Sequence, residues 1–159
     1  MVLTPRGLRF AGLVFPCSIG KGGLTSDKRE GDGATPRGGH RIVGMLYRAD
    51  RIARPAKGAI AIGPRDLWSD DRRDPAYNAL VHAPHGFSHE QLRRADPLYD
   101  LVLLTDWNYP NAVPGRGSAI FIHQWRRPGY PTEGCIALRR DHLRWITRRI
   151  SRKTRVIVP

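Results

Sequence analysis

SAIFIHQWRRPGYPTEGCIALRR, residues 118–140, is the stretch whose reading decides both the fold class and the chemistry of this chain. Ala119, Ile120, Phe121 and Ile122 form a short apolar run that reads as a buried strand, and the run delivers His123 at its end. A loop with two prolines and a glycine follows, then Gly134-Cys135, then a second apolar run of Ile136, Ala137 and Leu138. A histidine and a cysteine twelve positions apart therefore each stand where an ordered segment meets a loop. That is enough chain to fold back and bring imidazole against thiol.

The pairing has a chemical reason. A thiol with a pKa of about 8.5 is only a few per cent ionised at neutral pH, so a nucleophilic cysteine needs a neighbouring base or cation. Gly134 suits a sharp turn ahead of Cys135, with backbone N–H groups available to a developing oxyanion. The alternative on spacing alone is that Cys135 is an inert buried thiol and His123 an ordinary strand-end histidine, since cysteine is among the most often buried residue types.

IFIHQW followed by PTEGCIAL resembles the catalytic signature of the YkuD-type L,D-transpeptidases, in which a strand-end His precedes a Gly-Cys nucleophile. Gly20-Lys21-Gly22-Gly23 and Asp32-Gly33-Ala34-Thr35-Pro36-Arg37-Gly38 are similar to that family's early glycine-rich and Thr-Pro-x-Gly segments. Residues 99–102 and 114–121 resemble its middle strand and the approach to the histidine, and the likeness runs from about residue 9 to residue 158. Two positions depart from the usual pattern: Glu133 stands where a second His is common, and Ala137 where an Arg is common.

The resemblance implies a cysteine acyl-transferase of peptidoglycan stem peptides, with Cys135 as nucleophile and His123 as base. Backbone N–H groups of Glu133, Gly134 and Cys135 would hold the oxyanion, and the main chain at His123–Gln124 would orient the imidazole. It implies meso-diaminopimelate as the L-centred donor and a cell-envelope location. Gln124, Arg116, Arg139, Arg140 and His89 are the candidate substrate-binding residues; Arg116 reads equally as an exposed loop arginine, Arg139 and Arg140 as solvated, and His89 as a surface histidine. The alternatives are an L,D-carboxypeptidase using the same site and a non-enzymatic basic module that binds peptidoglycan or nucleic acid. No cofactor is assigned.

At 159 residues the chain should be a single domain with a sizeable core. Its net charge is +13, from 27 Lys and Arg against 14 Asp and Glu, which favours anionic partners. Nothing matches a nucleic-acid motif, so no nucleic acid is expected. Two cysteines, Cys17 and Cys135, make no disulfide framework, and Cys17 is expected to lie buried in a strand. Residues 10–16 follow Arg6 and Arg9 but lack the length and cleavage site of an export signal. No run reaches the roughly 18 apolar residues of a membrane span.

Residues 8–19 read as a central strand or a hairpin arm. Residues 20–40 hold seven glycines and read as a long loop of functional weight. Strands are expected at 42–47, 59–62, 99–107 and 154–158, with 99–107 beside 119–123 in the sheet. Residues 64–78 read as polar and turn-rich, with Asp70-Asp71 as solvated surface. His82, His85 and His89 suggest a zinc set by type, but Pro84 and Gly86 interrupt the helix it would need, so no metal site is assigned. Ser88 reads as the cap of a helix start, with Gln91 reaching back. Asp141 reads as the N-cap of a helix to about residue 151, with Leu143, Ile146 and Ile150 as its apolar stripe and Arg148, Arg149 and Arg152 at its negative end. The expectation is a mainly β domain, a mixed sheet or sandwich with one C-terminal helix after the cysteine.

Overall fold

A computed structural model describes residues 1–151 and 153–159. The chain opens with β1 (Val2–Thr4), β2 (Gly7–Phe10), β3 (Leu13–Phe15) and β4 (Cys17–Ser18), followed by β5 (Leu24–Thr25), β6 (Thr35–Pro36), β7 (Gly38–Tyr47) and β8 (Ile60–Ala61). Next come β9 (Asp66–Ser69), β10 (Leu80–His82), β11 (His89–Gln91), β12 (Leu101–Thr105), β13 (Phe121–Gln124), β14 (Ile136–Leu138), α1 (Arg140–Thr147) and β15 (Arg155–Val158). No helix among the described residues is long and apolar enough to cross a membrane.

One sheet runs in the order β3-β2-β1-β15-β7-β12-β13-β14-β4, with β8 paired to β7. Its two outermost strands, β3 and β4, are consecutive in sequence with Pro16 alone between them, so the sheet curls until its edges nearly meet. The described residues are therefore mainly β, with a single late helix among them. Residues 8–19 supply the β2–β3 hairpin and the far edge strand. Cys17 lies in a strand, as expected, though only half-buried.

Apolar residues dominate β12, β13 and β14, and all their residues are buried. Such runs fit strands covered on both faces. Successive side chains point to opposite faces, and the core divides accordingly. Leu101, Leu103, Ile122, Ile136 and Leu138 pack with Leu143 and Ile146 of α1, whereas Val102, Leu104, Phe121 and Cys135 pack with Trp68, Leu92 and Tyr99. A small sheet of order β10-β9-β11 brings Trp68 to this second face.

Three expectations are corrected. Residues 64–78 contain β9, and Leu67, Trp68, Ser69 and Asn78 are buried. Ser88–Gln91 begins no helix, because His89, Glu90 and Gln91 pair antiparallel with Ser69, Trp68 and Leu67; ladder bonds to a distant segment outweigh the local capping pattern. Asp141 is not the N-cap: that position is Arg139, which has no side-chain cap bond, and Asp141 sits in the first turn. The helix also ends at Thr147, where Arg149 N–H turns back to the Ile146 carbonyl at 2.8 Å. Arg152, expected at the helix end, lies outside the described residues.

Candidate active site

Parallel pairing of β13 with β14 sets Ile122 against Ile136 and His123 against Ala137. Alternation then puts Phe121 and His123 on the same face of the sheet as Cys135 and Ala137. His123 and Cys135 are diagonal neighbours across two strands, and both line one cavity of about 350 Å³.

His123 is 5% exposed. Its Nδ1 is 2.7 Å from the Gln124 carbonyl. A carbonyl only accepts, so Nδ1 carries the proton and Nε2 keeps a free lone pair. The ring of Tyr99 meets the imidazole edge to face, with centroids 5.2 Å apart. Burial pushes the His123 pKa down to about 4, against the opposing Gln124 bond. The Cys135 thiol donates to the Ala119 carbonyl at 3.1 Å and accepts the Phe121 N–H at 3.3 Å. Burial pushes it up to about 12, with the Phe121 bond and Lys28 opposing and Glu90 adding to the rise. Burial thus favours the neutral form of both groups, thiol and imidazole, in the one cavity they line.

The turn before Cys135 is held from three sides. Gly134 has φ +134°, and a Cβ there would lie 2.9 Å from the Ala34 carbonyl oxygen, so only glycine fits. Thr132 Oγ1 donates to the Cys135 carbonyl at 2.6 Å and accepts the Gly134 N–H at 3.2 Å. Thr35 Oγ1 donates to the Gly134 carbonyl at 2.8 Å and accepts the Gly20 N–H at 2.9 Å. The glycine-rich loop of residues 20–40 thus forms the seat of the Gly-Cys turn. Upstream, Ala119 takes φ +51°, a left-handed conformation costing about 1–2 kcal/mol outside glycine. It is fixed by Asn78 Oδ1, which accepts the Ala119 N–H at 2.9 Å and the Trp68 indole N–H at 2.9 Å.

The expected oxyanion donors need one correction: the Gly134 N–H is already engaged by Thr132. The expected substrate-binding side chains do not gather at the cavity. Gln124 is buried and donates its amide to the Pro97 carbonyl at 2.8 Å, because it points to the face opposite His123. Arg116 is exposed, with its guanidinium 6.0 Å from the Trp107 ring centre. Arg139 pairs with Asp141 at 2.6 Å, and Arg140 is exposed on the helix. His89 donates Nδ1–H to the Phe87 carbonyl at 2.7 Å. His82 and His85 pair separately with Asp66 at 3.0 Å and Asp74 at 2.7 Å.

The cavity wall is made instead by Glu30, Asp70, Glu90, Arg94, Tyr99, Arg126 and Tyr130 around the His–Cys pair. Glu90 reaches the cavity through the pairing of residues 89–91 with β9, where alternation turns it inward and His89 away.

The family model described as the L,D-transpeptidase catalytic domain, YkuD, matches residues 9–158. Comparison with curated proteins and with solved structures finds no match.

Proposed function

The chain belongs to the YkuD family of L,D-transpeptidase catalytic domains, a family of transferases of peptidoglycan associated with the cell envelope, and from that premise we propose that it is a cysteine acyl-transferase acting through Cys135 and His123. The observation that carries the reading is the parallel register of β13 and β14, which puts imidazole and thiol on one sheet face and in one cavity.

A peptide with an L-residue followed by a terminal D-residue enters the cavity. His123 Nε2 takes the thiol proton as sulfur attacks the L-residue carbonyl. Since burial raises the thiol and lowers the imidazole, the ion pair forms along the reaction path and is not stored at rest. The oxyanion is met by main-chain N–H groups of the Glu133–Cys135 turn, those of Glu133 and Cys135 in particular. Losing one such donor commonly costs about 3–4 kcal/mol of transition-state stabilisation. The C–N bond then breaks, the imidazolium protonates the departing D-residue amine, and a thioester remains on Cys135. An amine of a second stem peptide resolves it into a cross-link; water would give the carboxypeptidase outcome.

Intact mass spectrometry after incubation with a muropeptide or a carbapenem tests this. The expected result is one covalent adduct, mapped to Cys135 and absent in Cys135→Ala, with Cys17 unmodified. A free, unmodified Cys135 thiol under both conditions would count against the reading.

A further inference from the structure

The chain carries a net charge of +13, yet the cavity wall holds four carboxylates, Glu30, Asp70, Glu90 and Glu133, against the guanidiniums of Arg94 and Arg126. Glu30 is satisfied by the hydroxyls of Tyr77 and Ser118, and Glu133 by Lys21 at 2.8 Å. Glu90 is not. Its nearest guanidinium, Arg94, stands 3.9 Å away and is bound through two nitrogens to Asp96 at 2.9 and 2.7 Å. The Tyr99 hydroxyl reaches it only at 3.5 Å. Glu90's side chain is 35% exposed, and beside it Asp70 buries Oδ1 with no hydrogen-bond partner among the described residues. Arg126 lies over the Tyr130 ring, 5.3 Å from its centre, and makes no ion pair with Glu90 or Asp70 among the described residues.

Burial raises the Glu90 pKa, with Asp70 adding to the rise and Arg94 opposing it, so a cation that joined the two carboxylates would be favoured there. They line the same cavity as Cys135, and Glu90 works against ionisation of that thiol. Tyr99 links the two halves of the site, with its ring against His123 and its hydroxyl toward Glu90. Glu90 and His123 therefore flank the same tyrosine in the cavity that also holds Cys135.

We propose that Glu90, backed by Asp70, determines acceptor specificity by drawing a primary ammonium to the Cys135 thioester, so that the acyl group passes to an amine in preference to water. The proposal rests on the acyl-transfer reading above. The ammonium gives its first proton to solvent by way of the carboxylate. Its nitrogen lone pair then forms the amide C–N bond as the C–S bond breaks, and a second proton passes through His123 to the departing thiolate. The thiol is regenerated and nothing is oxidised or reduced.

The test is a partition measurement. The protein is acylated with a stem tetrapeptide acetylated at both its N-terminus and its diaminopimelate side-chain amine, so that it has no free amine, in the presence of glycinamide. The ratio of amide to acid product is read by mass spectrometry, a ratio independent of how much acyl-enzyme forms. In Glu90→Gln it is expected to fall at least tenfold, with partial recovery in Glu90→Asp. With hydroxylamine, uncharged at neutral pH, the ratio is expected to move less than twofold. A glycinamide ratio unchanged within twofold, or an equal fall for both acceptors, overturns the proposal. Absence of any acyl-enzyme on wild-type Cys135 overturns the underlying reading instead, and the proposal with it.

Discussion

Burial favours the neutral form of both His123 and Cys135 and so moves their pKa values in opposite directions, which makes each a contributor to pH-dependent stability. The His123 pKa falls from an ordinary 6.5 to about 4. The folded state thus prefers the neutral ring, and its contribution is complete above pH 6.5 and lost as pH falls through 4. That linkage amounts to about 3 kcal/mol. Urea unfolding at pH 7 and pH 4 should show a loss of this order in the wild type and a markedly smaller one in His123→Gln; equal losses would refute the assignment. For Cys135 the sign is reversed. Its pKa is raised from 9.0 to about 12, so its contribution is present below pH 9 and drains away toward pH 12. Of the two residues, the sequence showed both, because each sits at the end of an apolar run with a glycine or a loop beside it. Glu90 was hidden since its place depends on pairing with Trp68, a partner that no local pattern names.

Among the elements, the glycine-rich loop has the most consequence for the site. Thr35 is 1% exposed and joins Gly20 to Gly134 through one hydroxyl. Thr35→Val keeps the shape and removes both bonds, leaving a buried N–H and a buried carbonyl unpaired at about 1–3 kcal/mol each. The prediction is a lowered unfolding midpoint together with a fall in acylation rate of Cys135, measured by adduct formation over time; an unchanged rate would show that the loop does not hold the turn. Gly134→Ala should be worse, as it meets both the Ala34 carbonyl and an unfavourable φ. The loop's importance was legible from its length and glycine content, but its contacts were not: Thr35 and Gly134 are 99 residues apart. The short strand β11 was misread for a related reason. Three residues carry too little periodicity to compete with a capping pattern such as Ser88 to Gln91, and only the ladder to β9 decides.

At the scale of the whole molecule, the near-closure of the sheet ties the far hairpin to β13 and β14. Phe15 ends β3, is 6% exposed, and packs its ring against His142 and Trp145 of α1, each with centroids 5.2 Å apart. The same apolar cluster contains Ile122 of β13 and Ile136 of β14, the residues immediately before His123 and after Cys135. One core therefore supports both the closing hairpin and the backs of the two strands that carry the site. Phe15→Ala should cost about 3–5 kcal/mol, the range for deleting a buried aromatic ring. Because the core is shared, the loss should not be confined to the hairpin. Titrating the variant with urea, tryptophan fluorescence and accessibility of Cys135 to a thiol reagent are expected to change together, with one midpoint shifted below that of the wild type. Thiol exposure at a distinctly lower urea concentration than the fluorescence change would mean that the site opens on its own. In that case the closing hairpin would stabilise the sheet's edge without supporting the strands that present His123 and Cys135.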